Sequence, residues 1–226
     1  MIIAERKPFA EIKAMVAPYK KILIIGCGTC VAVCLAGGEK EVGLLAFQLR
    51  LALGLEDKQV EIGEITVERQ CDLEFLRPLC VSIADYDAIV SMACGAGVQF
   101  LKQICQLQPI FPAVNTTFIG VNNEVGYFTE RCRACHNCYL GITGAICPVT
   151  MCPKGLLNGP CGGTINGKCE VNPENDCAWS NIYHRLELEG RLEKMKEIVP
   201  LHPYDRSTTP NQVIHPAYRK RYGTHG

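Results

Sequence analysis

Hydrophobic and polar positions along the first half of the chain alternate between two periods. Residues 20–26 (KKILIIG) form an apolar run that reads as a buried strand, and 31–53 repeats apolar positions at helical spacing. Residues 60–68 (VEIGEITVE) alternate with period two and read as a strand, while 73–83 fits a short helix. A third strand is expected at 87–93 (DAIVSMA), a helix at 98–107 and a final strand at 118–122 (FIGVN). Strands that alternate with helices imply parallel pairing with right-handed crossovers. The expected fold is therefore α/β, with a small flavodoxin-like parallel sheet over residues 1–128. In such sheets, sites form at the carboxyl ends of the strands.

Near residue 130 the periodicity stops. From 131 to 177 glycine, proline and cysteine replace the large apolar residues, so this stretch is expected to fold around metal. It reads as a cysteine-rich, ferredoxin-like segment, 129–178, that binds iron–sulfur clusters or zinc. Residues 178–199 return to helical spacing, with Trp179, Ile182, Tyr183 and Leu186 forming a core-facing stripe. The last part, 179–226, is thus an amphipathic helix followed by a proline-rich extended tail, read as a mobile end or as a strap over a partner. No internal repeat is visible.

Composition narrows the function. The chain has 226 residues, 48% of them hydrophobic, enough for a core and a smaller second domain. Formal net charge is zero, so neither nucleic acid nor an anionic membrane is indicated as a partner. Glu5, Arg6, Lys7, Glu11 and Lys13 interrupt the N-terminal stretch where a signal peptide needs an apolar core. The uncharged runs 22–38 and 103–123 are broken by glycine, proline or polar residues, so no membrane span is expected. A cytoplasmic, reducing location is the expectation. There, 15 cysteines point to metal or redox chemistry and away from a disulfide framework.

Two cysteine groups stand out. Cys27 and Cys30 follow the first strand in Gly26-Cys-Gly-Thr-Cys30, with Cys34 one helical turn on. A dinucleotide fingerprint fails here, because Val31 stands where its third glycine belongs. Backbone amides at a helix N-terminus suit an anionic thiolate-bound cluster as they suit phosphate. Cys94 ends the 87–93 strand and Cys71 follows the 60–68 strand, so both are expected at the same sheet edge. Cys27, Cys30 and Cys94 are the first choice as ligands, Cys34 the next, with Cys71 in reserve. Cys80 and Cys105 read as small buried apolar residues.

The second group is Cys132, Cys135, Cys138, Cys147, Cys152, Cys161, Cys169 and Cys177. The spacing Cys132-x2-Cys135-x2-Cys138 resembles the start of a bacterial ferredoxin run, and eight thiolates are the number two [4Fe–4S] clusters require. Cys132-Arg-Ala-Cys135-His136 also fits the c-type haem attachment pattern, but that would leave the later cysteines unexplained. Structural zinc is the stronger rival, since four cysteines at such spacings also suit it.

These residues carry a resemblance. GCGTCVAVCLAGGEKEVG from Gly26, SMACGAGVQ from Ser91, the block ERCRACHNCYLGITGAICPVTMCPKGLLNGPCGG from Glu130 and GKCEVNPENDCAW from Gly167 resemble the MetV-type small subunit of methylenetetrahydrofolate reductase. The likeness covers about residues 21–188. His136 is a departure, standing where glycine is more usual, and the chain after 203 lies outside it. The resemblance implies an iron–sulfur electron-transfer subunit with two or three [4Fe–4S] clusters, or zinc at one C-terminal site. Its partner would be a flavin-containing catalytic subunit that reduces the folate-bound methylene group, with ferredoxin or another redox protein as electron donor. No nucleophile–base pair, phosphate loop or flavin signature is visible in the chain, so catalytic chemistry is expected in the partner. A zinc-binding scaffold that stabilises the flavoprotein is the alternative.

Overall fold

Strand β2 (Lys21–Cys27, KILIIGC) is buried at every position after Lys21. Such a continuous apolar run needs cover on both faces, which a central parallel strand receives. In the computed structural model, which describes residues 1–200, 210 and 212–222, β2 lies between β3 (Glu61–Val67) and β4 (Ala88–Ser91). A short strand β5 (Ile110–Pro112) pairs with β4, giving the order β3-β2-β4-β5 with every pair parallel. The period of two assigns alternate residues of β2 to opposite faces. Ile22 and Ile24 meet Leu45 and Leu49 of α3 (Glu39–Gly54) and Ile12 and Val16 of α1 (Phe9–Val16). Leu23 and Ile25 meet Leu76 of α4 (Leu73–Leu76), Leu79 and Ile83 of α5 (Leu79–Ile83), and Leu101 of α6 (Gly95–Ile104).

The chain divides into two compact units, Met1–Glu130 and Arg131–Gly226. Within the first, the expected final strand is corrected. Residues 118–122 belong to β6 (Val114–Glu124), which pairs antiparallel with β1 (Ile2–Arg6) and neighbours β7 (Tyr127–Cys132) in a separate three-stranded sheet. The fourth place in the parallel sheet goes to β5, whose three residues are too few to display a period. The long helix expected at 31–53 is also broken. α2 (Cys30–Val33) stops at Leu35, which has φ +56°, and α3 starts after Gly38. Gly37 explains the break: a Cβ there would lie 1.9 Å from the Met92 carbonyl oxygen, so only glycine lets this loop cross the end of β4.

The second unit contains little regular structure before α8 (Ala178–Leu188). It has one short helix, α7 (Pro148–Met151), and isolated bridges at Ile165–Lys168 and Lys168–Asp176. The helix expected over 178–199 ends at Leu188, because Gly190 takes φ +66°. A 3-10 turn (Leu192–Lys196) follows. Trp179, Ile182 and Leu186 are buried against Ile146, Leu156 and Met195, and the Trp179 ring nitrogen donates to the Leu156 carbonyl at 3.0 Å. Tyr183 is not part of that stripe; it is exposed and its hydroxyl donates to Glu187. Asn158 holds the end of this region, accepting from the Val199 amide at 2.7 Å and donating to its carbonyl at 2.9 Å. Of the expected tail, residues 201–209, 211 and 223–226 lie outside the described residues. A 3-10 turn (Pro216–Tyr218) leads into α9 (Arg219–Tyr222).

Candidate metal centre

The carboxyl edge of the parallel sheet is set by its register. Cys27 pairs with Val67 and Ile25 with Ser91, so β2, β3 and β4 end side by side. Cys27 is the last residue of β2, Cys30 the first of α2, and Cys94 the N-cap of α6. Cys71 lies in the loop after β3. Its thiol is pushed up first by burial and then by the neighbouring sulfurs of Cys27, Cys94 and Cys30. The register of the strands thus carries Cys27, Cys71 and Cys94, with Cys30, to the carboxyl edge of the sheet. Cys34 is turned elsewhere: its sulfur donates to the Ile2 carbonyl of β1 at 3.5 Å, and burial raises its pKa. Cys34 meets β1 yet also packs with Cys27 and Cys94, while Cys71 is exposed in the loop after β3.

Small residues surround this edge. Ala4, Ala36, Ala93, Val31 and Val114 pack with Cys27, Cys34 and Cys94. Two further residues, which the cysteine pattern does not mark, hold the edge together. Gln70 is fully buried; its amide nitrogen donates to the carbonyls of Ile25 at 2.8 Å and Gly26 at 3.0 Å. Its amide oxygen accepts the Ser91 hydroxyl at 2.6 Å, and the Ser91 oxygen accepts the Ala93 amide at 3.3 Å. This network ties the residues next to Cys27, Cys71 and Cys94 into one unit. Gly97 makes room for it, since a Cβ there would sit 3.0 Å from the Gln70 Cβ. The signal in the sequence was a polar residue adjoining Cys71 in the loop after an alternating strand. Nothing local to Gln70 foretells its burial.

In the second unit, Cys152, Cys161, Cys169 and Cys177 line one small cavity together with Pro160, Thr164 and Trp179. Cys177 is the N-cap of α8. Burial alone would raise its pKa. Hydrogen bonds from the Ser180 amide and hydroxyl, the Trp179 amide and the Thr164 hydroxyl outweigh that and lower it. A thiolate so supported is a ready metal ligand. Cys132, Cys135 and Cys147 make local contacts, and Cys138 is exposed. The Cys132 sulfur accepts from the Ala134 amide at 3.4 Å, Cys135 donates to the Asn137 carbonyl at 3.5 Å, and Cys147 donates to the Thr150 hydroxyl at 3.5 Å. Ala134 and His136 have φ of +52° and +67°, so the turns flank Cys135 with left-handed backbone.

Among the described residues no three His, Cys, Asp or Glu side chains are arranged to hold a metal ion. The fit to metal therefore rests on the donor chemistry: thiols at the carboxyl ends of the parallel strands and four lining one cavity. No helix among the described residues is long and apolar enough to cross a membrane.

An α/β unit with thiols at its carboxyl edge, followed by a cysteine-rich unit, defines the class of protein. Residues 111–205, somewhat under half of the chain, match the family described as methylene-tetrahydrofolate reductase C terminal. No curated protein and no solved structure matches the chain.

Proposed function

We propose that the chain is a cytoplasmic iron–sulfur electron-transfer subunit of a methylenetetrahydrofolate reductase. It would pass electrons between a donor such as ferredoxin and the flavin of a catalytic partner subunit. The observation that supports this reading is the placement of Cys27, Cys30, Cys71 and Cys94 at the carboxyl ends of β2, β3 and β4 in a chain whose residues 111–205 match the reductase C-terminal family. These four are the ligand set we assign to the first cluster. Cys152, Cys161, Cys169 and Cys177 form the second set, and Cys132, Cys135, Cys138 and Cys147 the third. Clusters of this kind supply one-electron transfer. The chain's own residues supply thiolates, hold them in register through Gln70 and Ser91, and stabilise negative charge at the N-termini of α6 and α8.

One observation favours zinc at the second set. The cavity inside that ring is about 20 Å³, room for roughly one water-sized sphere. On this reading the second unit is a structural clip and the first unit is redox-active.

Iron, sulfide and zinc analysis of anaerobically purified chain tests both readings, with an EPR spectrum after dithionite. Two or three [4Fe–4S] clusters are expected, or one or two with a single zinc. Stoichiometric zinc with almost no iron would overturn the electron-transfer role and leave a scaffold. A further check uses Cys27→Ser or Cys94→Ser in the complex with the flavoprotein. Oxidation of methyltetrahydrofolate with a dye that drains the flavin directly should persist, while turnover with ferredoxin should be lost. Equal loss of both activities would make the cluster structural.

A further inference from the structure

Two cysteines lie outside every proposed ligand set. Cys80 is on α5, and Cys105 is the C-cap of α6. They are brought together on the face of the sheet formed by Leu76, Leu79, Ile83 and Leu101, and their sulfurs stand 3.2 Å apart. A disulfide bond is about 2.05 Å long, so roughly 1 Å of approach closes the pair. Cys80 is half-buried and Cys105 buried, so the two thiols differ in their access to solutes.

We propose that Cys80 and Cys105 form a two-electron redox site, a dithiol that a peroxide closes to a disulfide, pinning α5 to α6. Cys80, the more accessible sulfur, attacks one peroxide oxygen as its thiolate. The O–O bond breaks, hydroxide leaves, and Cys80 becomes a sulfenic acid. The Cys105 sulfur then attacks the Cys80 sulfur. The S–O bond breaks, and the departing hydroxide takes the Cys105 proton. Two thiols lose two electrons and two protons, and peroxide becomes two waters. The order of events follows from burial, which together with the neighbouring Cys80 thiol pushes the Cys105 thiol up to about 12. Cys105 keeps its proton at neutral pH and acts second.

The experiment treats the loaded, full-length chain with hydrogen peroxide, blocks remaining thiols with an alkylating agent and maps peptides without reduction. A Cys80–Cys105 link, 2 Da below the dithiol mass, is the expected product. It should vanish in Cys80→Ser. In Cys105→Ser, dimedone should trap Cys80 as its sulfenic acid. The oxidised wild-type chain should also unfold at higher denaturant than the reduced chain, a shift absent from Cys105→Ser. Sulfinic or sulfonic acid at Cys80 with Cys105 still free to alkylate overturns the proposal. So does alkylation of both while other cysteines oxidise. Iron content does not enter this readout, so it stands or falls apart from the electron-transfer role.

Discussion

The two units solve the problem of burying sulfur in opposite ways. In Met1–Glu130 the thiols other than Cys80 and Cys105 sit at the rim of a sheet that already has two apolar cores, one on each face. The strands and helices would stand without metal, and the cysteines decorate their ends. Among the described residues of the second unit, a buried apolar cluster is gathered around α8 and includes Cys177, with Cys152 packed against it. Cys152 and Cys177 belong to that core as well as lining the cavity. The difference teaches that one chain can use thiols as attachments to a finished scaffold and as part of the scaffold itself.

Metal removal should separate the two most strongly. Structural metal binding is worth on the order of 10 kcal/mol in small domains that depend on it. Chelation should open the region 131–200 to proteolysis and hydrogen exchange while β2 to β5 stay protected. Equal protection of both units in metal-free chain would erase the distinction.

A core truncation should act the other way round. Leu49 is fully buried between α3 and the sheet, and Leu49→Ala should destabilise the first unit by about 2–5 kcal/mol. Denaturant unfolding followed by peptide-resolved exchange should register the loss in the first unit, with the metal content of the second unchanged.

Gln70→Leu sharpens the contrast within the first unit. It removes two donors from the Ile25 and Gly26 carbonyls and strands the Ser91 hydroxyl. The expected cost is about 1–3 kcal/mol. The sheet should remain folded by circular dichroism while the edge site loses its iron. Retention of that iron at full occupancy would show that the thiols need no such support.

The smallest effect is a pH dependence of the metal-free first unit. Cys105 has a folded pKa of about 12 against an ordinary value of 9.0. A raised thiol pKa means the fold prefers the protonated form. Its contribution is full below about pH 9 and declines as pH climbs from there toward 12. Urea midpoints measured on either side of about pH 9 should fall with rising pH, and Cys105→Ala should flatten that slope.

The sequence alone determined the features that depend on neighbours in the chain. The apolar run KILIIGC can only be a covered central strand, and the alternation in EIGEITV marks the strand beside it. Loss of periodicity near residue 130 marked the change to a cysteine-rich stretch. What depends on distant partners was decided by the tertiary structure. β1 is five residues whose partner begins more than a hundred positions later, so no local pattern announces it. Residues 118–122 have the composition of a strand, but composition does not say which sheet receives them. The surroundings of Cys34 and Cys71 are of the same kind. Helical spacing puts Cys34 one turn from Cys30, and the fold sets its sulfur against the Ile2 carbonyl of β1. Cys71, far off in sequence, is carried to the edge by the parallel register of β2 with β3 and held there by Gln70. Side-chain periodicity is a local property of the backbone; which sulfurs meet is fixed only when sheet register and buried hydrogen bonds close over them.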